Sequence, residues 1–234
     1  MSKKIKIAMF IINIIISVFI VIMDIMKCFV INEIIYKQIA SGAVCLLASI
    51  NLIICIIFFN KKTFWACFML FLGVIIGSVG DFVIGKNFIL GAALFAVGHI
   101  FYIIALYFIS RFTWYEILVS LCVIGISLIV VFIPYVDYGN YLILVVIYAI
   151  ILSLMLSKCL SNLFFNKKDL LNIILVIAGL LFYFSDLMLM LYIFKSADLI
   201  FDKLCLMLYL PAQILFAVSI FIALMKRKNI LLKK

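Results

Sequence analysis

The sequence predicts an all-α fold, a polytopic membrane helix bundle with eight transmembrane helices, and three observations predict it. Of 234 residues, 71% are hydrophobic and only 12% are charged, more apolar surface than the interior of a soluble domain of this length can hold. The apolar residues fall into eight runs of about 18 or more, the length a helix needs to cross a hydrocarbon core roughly 30 Å thick. Charged and turn residues bound those runs. Lipid offers no partner to a free backbone amide, so such runs must be helical.

The first span is placed at 5–23. Its basic start, Lys3-Lys4-Ile5-Lys6, followed by Ile7 to Met23, imitates a signal peptide, but the apolar run is too long and lacks a small-residue cleavage site. Asp24 to Gln38 mixes apolar residues with Asp24, Lys27, Glu33 and Lys37, which suits a segment lying at the membrane interface. Spans two and three, 39–59 and 64–84, are separated by the brief Asn60-Lys61-Lys62-Thr63. Span four, 88–109, follows Gly85-Lys86-Asn87, so three and four form a tight antiparallel hairpin. The remaining spans are expected at 115–134, 140–157, 170–193 and 204–225, and residues 1–234 read as one transmembrane domain.

Basic residues set the orientation. Lys3, Lys4, Lys6, Lys61, Lys62, Arg111, Lys158, Lys167, Lys168, Lys226, Arg227, Lys228, Lys233 and Lys234 fall on the side of the N-terminus, against Lys27, Lys37, Lys86, Lys195 and Lys203 on the other. That asymmetry over short loops places both termini in the cytoplasm of a plasma membrane protein. The net charge of +10 is thereby explained by topology and anionic headgroups rather than by a nucleic-acid partner. Seven cysteines without a CxxC or metal spacing read as small packing residues. The surroundings of the two intramembrane aspartates do not repeat, which argues against the internal duplication common in transporters.

The chemistry is expected where polar groups interrupt apolar runs. Gly73-Val74-Ile75-Ile76-Gly77-Ser78-Val79-Gly80-Asp81 and Ser185-Asp186 each bury a carboxylate at a cost of at least about 2.5–3.5 kcal/mol if ionised at mid-membrane. Gly73, Gly77 and Gly80 share a helix face, where small residues let a second backbone approach. The expectation is that Asp81 and Asp186 meet in one interhelical pocket. His99 is the only histidine and has Tyr102 one turn on; one imidazole cannot build a His-rich metal site, so none is expected. Asp81, Asp186, His99, Tyr148 and Gln213 fall in one slab of the membrane, Tyr183 lies three residues before Asp186, and helix eight stacks Tyr209 and Gln213 one above the other. Pro211, between the last two, frees the carbonyl of Met207 and predicts a local bend. Asn13 and Asn51 read as interhelical hydrogen bonds.

These residues, in this order and helical context, resemble the YhhN family of lysoplasmalogenase-like membrane proteins. The resemblance rests on Gly77 to Asp81, on Gly91, Phe95, His99 and Tyr102, on Tyr148 to Met155, on Gly179 to Asp186, and on Tyr209, Ala212 and Gln213. It implies an eight-span hydrolase that cleaves the vinyl ether bond of lysoplasmalogens to a fatty aldehyde and a glycerophospho-alcohol, with a lysophospholipid substrate and no cofactor. Such hydrolysis needs an acid that keeps its proton at neutral pH and a base or anion that handles water. Asp81 and Asp186 are the expected pair, supported by Ser78, His99, Tyr102, Tyr148, Tyr183, Ser185, Tyr209 and Gln213, with Lys86 the nearest cation for a headgroup phosphate. A proton-coupled transporter, or a lipid-binding membrane protein without turnover, accounts for intramembrane carboxylates equally well.

Overall fold

The computed structural model describes residues 1–31, 33–58, 61–132, 136–166 and 168–226, without the side chains of Lys62 and Lys226. The expected positions of Lys167, Arg227, Lys228, Lys233 and Lys234 lie outside the described residues. Among the described residues eight α-helices follow one another: α1 Lys3–Ile25, α2 Ile34–Ile57, α3 Lys61–Val83, α4 Phe88–Ile109, α5 Tyr115–Val131, α6 Leu142–Ser161, α7 Leu170–Phe194 and α8 Leu199–Lys226. Seven are long and apolar enough to cross a membrane, and the chain is an integral membrane protein. The eighth, α5, has 17 residues, the lower end of what spans a bilayer. The sequence placed its end at 134, and residues 133–135 lie outside the described ones.

Local sequence explains where helices begin. Ser2 accepts a hydrogen bond from the Ile5 amide at 3.3 Å, Asn87 from that of Leu90 at 3.0 Å and Asp169 from that of Asn172 at 3.1 Å. Each satisfies one of the amides that a helix start leaves unpaired. Asn87 does so directly after the three-residue turn, which is why α3 and α4 form the expected hairpin.

The segment expected to lie at the interface is instead mostly helix. After α1 the chain makes a π-helical turn over Met26–Val30, and α2 begins at Ile34, three residues before Lys37. Three of its four charged residues have found partners: Asp24 accepts from the Cys28 thiol at 3.6 Å, Lys27 pairs with Asp202 of α8 at 3.5 Å and Lys37 with Asp81 of α3 at 3.2 Å, while Glu33 is exposed. Pairing removes the reason for those charges to seek headgroups.

α8 is the central helix. It packs on α1, α2, α3 and α7, while α6 touches α4, α5 and α7. Two thirds of the apolar window of α8 is buried (67%) against 17% for α1. The exposed face of α1, with Ile11, Ile15 and Val18, is one that only lipid would cover. Asn13 and Asn51 make the interhelical hydrogen bonds expected of them: they bond each other at 3.1 and 2.9 Å, and Asn51 also donates to the Ala217 carbonyl at 3.0 Å, which ties α1, α2 and α8. Pro211 lies inside α8, which runs as one helix from Leu199 to Lys226.

The small-residue face of α3 admits side chains as well as backbone. A Cβ on Gly98 of α4 would stand 3.2 Å from the Gly73 carbonyl, so the two helices approach closely there. The faces of Gly73, Gly77 and Gly80 are occupied by Tyr102, Gln213 and Phe95 respectively.

Candidate active site

Asp186, on α7, faces two other helices. Its Oδ2 accepts from the Tyr148 hydroxyl of α6 at 2.8 Å and lies 3.2 Å from His99 Nε2 of α4. Nε2 is also 3.1 Å from the Tyr148 oxygen. The tyrosine hydrogen is given to the carboxylate, so proton counting places a hydrogen on His99 Nε2, shared between the two oxygens. His99 is almost wholly buried, with the edge of Phe182 against it at 5.0 Å between centroids.

Asp186 forms part of the wall of a cavity of about 90 Å³ between α4, α5, α6 and α7. Apart from Asp186, the polar side chains in its lining are Ser127, Tyr148 and Tyr183; the rest is aliphatic or phenylalanine. Such a cleft, apolar with few convergent polar groups, is the ordinary form of a site for an apolar ligand.

Asp81 sits elsewhere. Its Oδ1 is 3.2 Å from Lys37 Nζ, and its Oδ2 accepts from Ser41 at 2.6 Å and from Tyr209 at 2.8 Å. Gln213 continues this network, donating to Tyr209 at 3.0 Å and accepting from Tyr102 at 3.0 Å. Neither Asp81 nor Lys37 lines the cavity. Phe95 stands between the two regions: its ring is on the cavity wall, lies edge to face with Tyr209 at 5.8 Å and covers Gly80.

The expected single pocket is therefore two clusters. His99, Tyr148 and Asp186 come together at the cavity; Tyr102, Tyr209, Gln213 and Asp81 come together behind Phe95. The cause is Lys37, a cation assigned to the connection in the sequence but carried by α2 to the Asp81 carboxylate. An ion pair with hydroxyl donors is a better partner for a buried carboxylate than a second carboxylate would be.

The remaining expected residues divide. Tyr183 is on the cavity wall but bonds to Ser127 at 2.6 Å, not to Asp186. Ser185 donates to the Cys205 carbonyl at 3.0 Å and so joins α7 to α8. Ser78 is buried one turn before Asp81, with the Cys45 thiol of α2 beside its hydroxyl. Lys86 is exposed in the turn after α3. Sequence reasoning missed Lys37, Ser41, Ser127 and Ser153. Lys37 alone gave a signal, as a charge at the edge of an apolar run; serines within such runs give none.

A third cluster lies at the other end of the bundle. Lys158 of α6, counted above among the orienting cations, is 1% exposed with Nζ 2.8 Å from Glu116 of α5 and 3.3 Å from the Arg111 carbonyl. It sits over the Tyr107 ring at 4.0 Å, and the Tyr107 hydroxyl bonds Glu116. Among the described residues no three His, Cys, Asp or Glu side chains are grouped so as to hold a metal ion.

Fold and site together define a polytopic α-helical membrane protein with carboxylates buried between its helices, one of them at an apolar cavity. Comparison with curated proteins and with solved structures gave no match. The model of the YhhN family matches residues 43–220, and the chain belongs to that family. The matched stretch contains Asp81, His99, Tyr148 and Asp186 but begins after Lys37 and Ser41.

Proposed function

We propose that this protein is an intramembrane hydrolase that cleaves the vinyl ether bond of lysoplasmalogens, releasing a fatty aldehyde and a glycerophospho-alcohol. The observation that carries the reading is Asp186: a carboxyl group on the wall of an otherwise apolar cavity, with one oxygen held by Tyr148 and His99. A carboxyl group so placed can give a proton to the vinyl carbon, which is the first step of this hydrolysis. A positioned acid contributes about 10²–10⁴-fold to such a step.

Asp81 then has a different task from Asp186. Its carboxylate is engaged by Lys37, Ser41 and Tyr209 and lies off the cavity wall, so it is not the group that meets the vinyl carbon. Through Tyr209 it fixes the surface against which Phe95 closes the cavity. The substrate is a single-chain ether lipid drawn from the surrounding membrane, and the basic asymmetry of the loops supports cytoplasmic termini in the plasma membrane.

The test is product analysis. Detergent-purified protein incubated with a lysoplasmalogen and, separately, with an ester lysophospholipid should release aldehyde from the first and leave the second intact, with or without a chelator. Absence of aldehyde would refute the assignment. The ion pairs near opposite ends of the bundle, Lys37 with Asp81 and Lys158 with Glu116, favour one rival, a proton-coupled carrier. Solute flux in proteoliposomes without product formation would establish that rival.

A further inference from the structure

Water must add to the cation that protonation creates, and Asp81, the expected partner for that step, is not on the cavity wall. Three polar side chains other than Asp186 are, and Tyr148 has given its hydrogen to Asp186. The other two are Ser127 and Tyr183, in contact with each other at 2.6 Å. Their hydrogens can be assigned. Ser153 gives its hydrogen to the Ala149 carbonyl at 2.6 Å and Ser127 gives its own to the Val123 carbonyl at 2.9 Å or to Ser153, which leaves the tyrosine as donor in its contact with Ser127. Ser153, fully buried, backs Ser127 at 2.7 Å.

With its own hydrogen committed, Tyr183 offers only lone pairs to the cavity. A water there must donate to the tyrosine oxygen, which turns the water's own lone pair outward. That is the orientation that attack on a carbocation needs. Tyr183 and Asp186 are three residues apart on α7 and so on adjoining parts of one face.

We infer that Ser127 and Tyr183 hold the attacking water, Ser127 as a positioning residue that acts through the tyrosine; this rests on the vinyl ether hydrolase reading above. Asp186 transfers its proton to the β-carbon, the double-bond electrons form the new C–H bond, and the α-carbon becomes an oxocarbenium with the ether oxygen. Water oxygen bonds to the α-carbon and one water proton passes to the Asp186 carboxylate, restoring the acid. The hemiacetal then breaks its bond to the glycerol oxygen, which takes a proton as the hemiacetal hydroxyl loses one, giving aldehyde and alcohol.

The experiment separates proton transfer from water capture. In deuterated water the wild-type protein should form aldehyde while recovered lysoplasmalogen stays unlabelled, because captured cations do not return. Ser127→Ala and Tyr183→Phe should each slow aldehyde formation about 10- to 100-fold and let the cation lose its β-proton again, so that deuterium enters the vinyl β-carbon of recovered substrate. Asp186→Asn should abolish both aldehyde and label. Variants that slow aldehyde formation without label entering, or that change nothing, would overturn the water site alone. A wild-type protein that forms no aldehyde would overturn the parent reading, and this one with it.

Discussion

At the scale of single residues, Asp186 and Asp81 differ in what surrounds them although the sequence presents them alike. Asp186 has a tyrosine, a histidine and an apolar cavity; Asp81 has a lysine and two hydroxyls. Asp186→Asn keeps the shape and can still accept from Tyr148, so the protein should fold while aldehyde release falls by about 10²-fold or more. Tyr148→Phe should lower the rate less, because His99 still holds the same oxygen. Initial rates alongside thermal unfolding of the detergent-solubilised variants check both: equal losses of rate and of folded protein would contradict the assignment. The asymmetry was not legible in the sequence because its cause, Lys37, is far from both aspartates along the chain. Nothing local marks a lysine in the first turns of an apolar helix as a partner for Asp81.

Among elements, the legible part was the periodicity. The spans, the hairpin through Gly85-Lys86-Asn87 and the use of Asn13 and Asn51 in interhelical hydrogen bonds all follow from apolar length, turn residues and the cost of an unpaired amide in lipid. The illegible part was which side chain fills which gap. Gly77 illustrates it: the sequence marks a small residue for close packing, but only the fold shows that Gln213 uses the space, since a Cβ there would lie 2.5 Å from the glutamine Nε2. Gly77→Val would push Gln213 off both Tyr209 and Tyr102. Overpacking of this kind costs about 1–3 kcal/mol. Gly42, which faces open space on α2, should accept alanine without loss. Comparing the unfolding midpoints of Gly77→Val and Gly42→Ala measures the difference, and a similar drop in both would mean that Gln213 does not depend on Gly77.

For the whole molecule, two ion pairs among the described residues brace opposite ends of the bundle, one fully buried and one with a half-buried lysine on a buried carboxylate. Lys37 and Asp81 join the start of α2 to the end of α3; Lys158 and Glu116 join the end of α6 to the start of α5. Removing one partner leaves the other as an uncompensated charge, which costs about 3–5 kcal/mol, whereas replacing both by apolar groups can be nearly neutral. Lys158→Met should therefore destabilise strongly, and adding Glu116→Leu should restore most of the loss. Lys37→Met combined with Lys158→Met should instead give the sum of the two single effects to within about 0.5 kcal/mol, because the sites share no partner. Only the Lys37 pair touches the network behind Phe95, so Lys37→Met should also slow aldehyde release, and Lys158→Met should act on stability alone. Denaturation in detergent with turnover measured on the folded fraction distinguishes the two. Non-additivity between the distant lysines would show that the ends of the bundle move together, as a carrier requires and a fixed hydrolytic cavity does not.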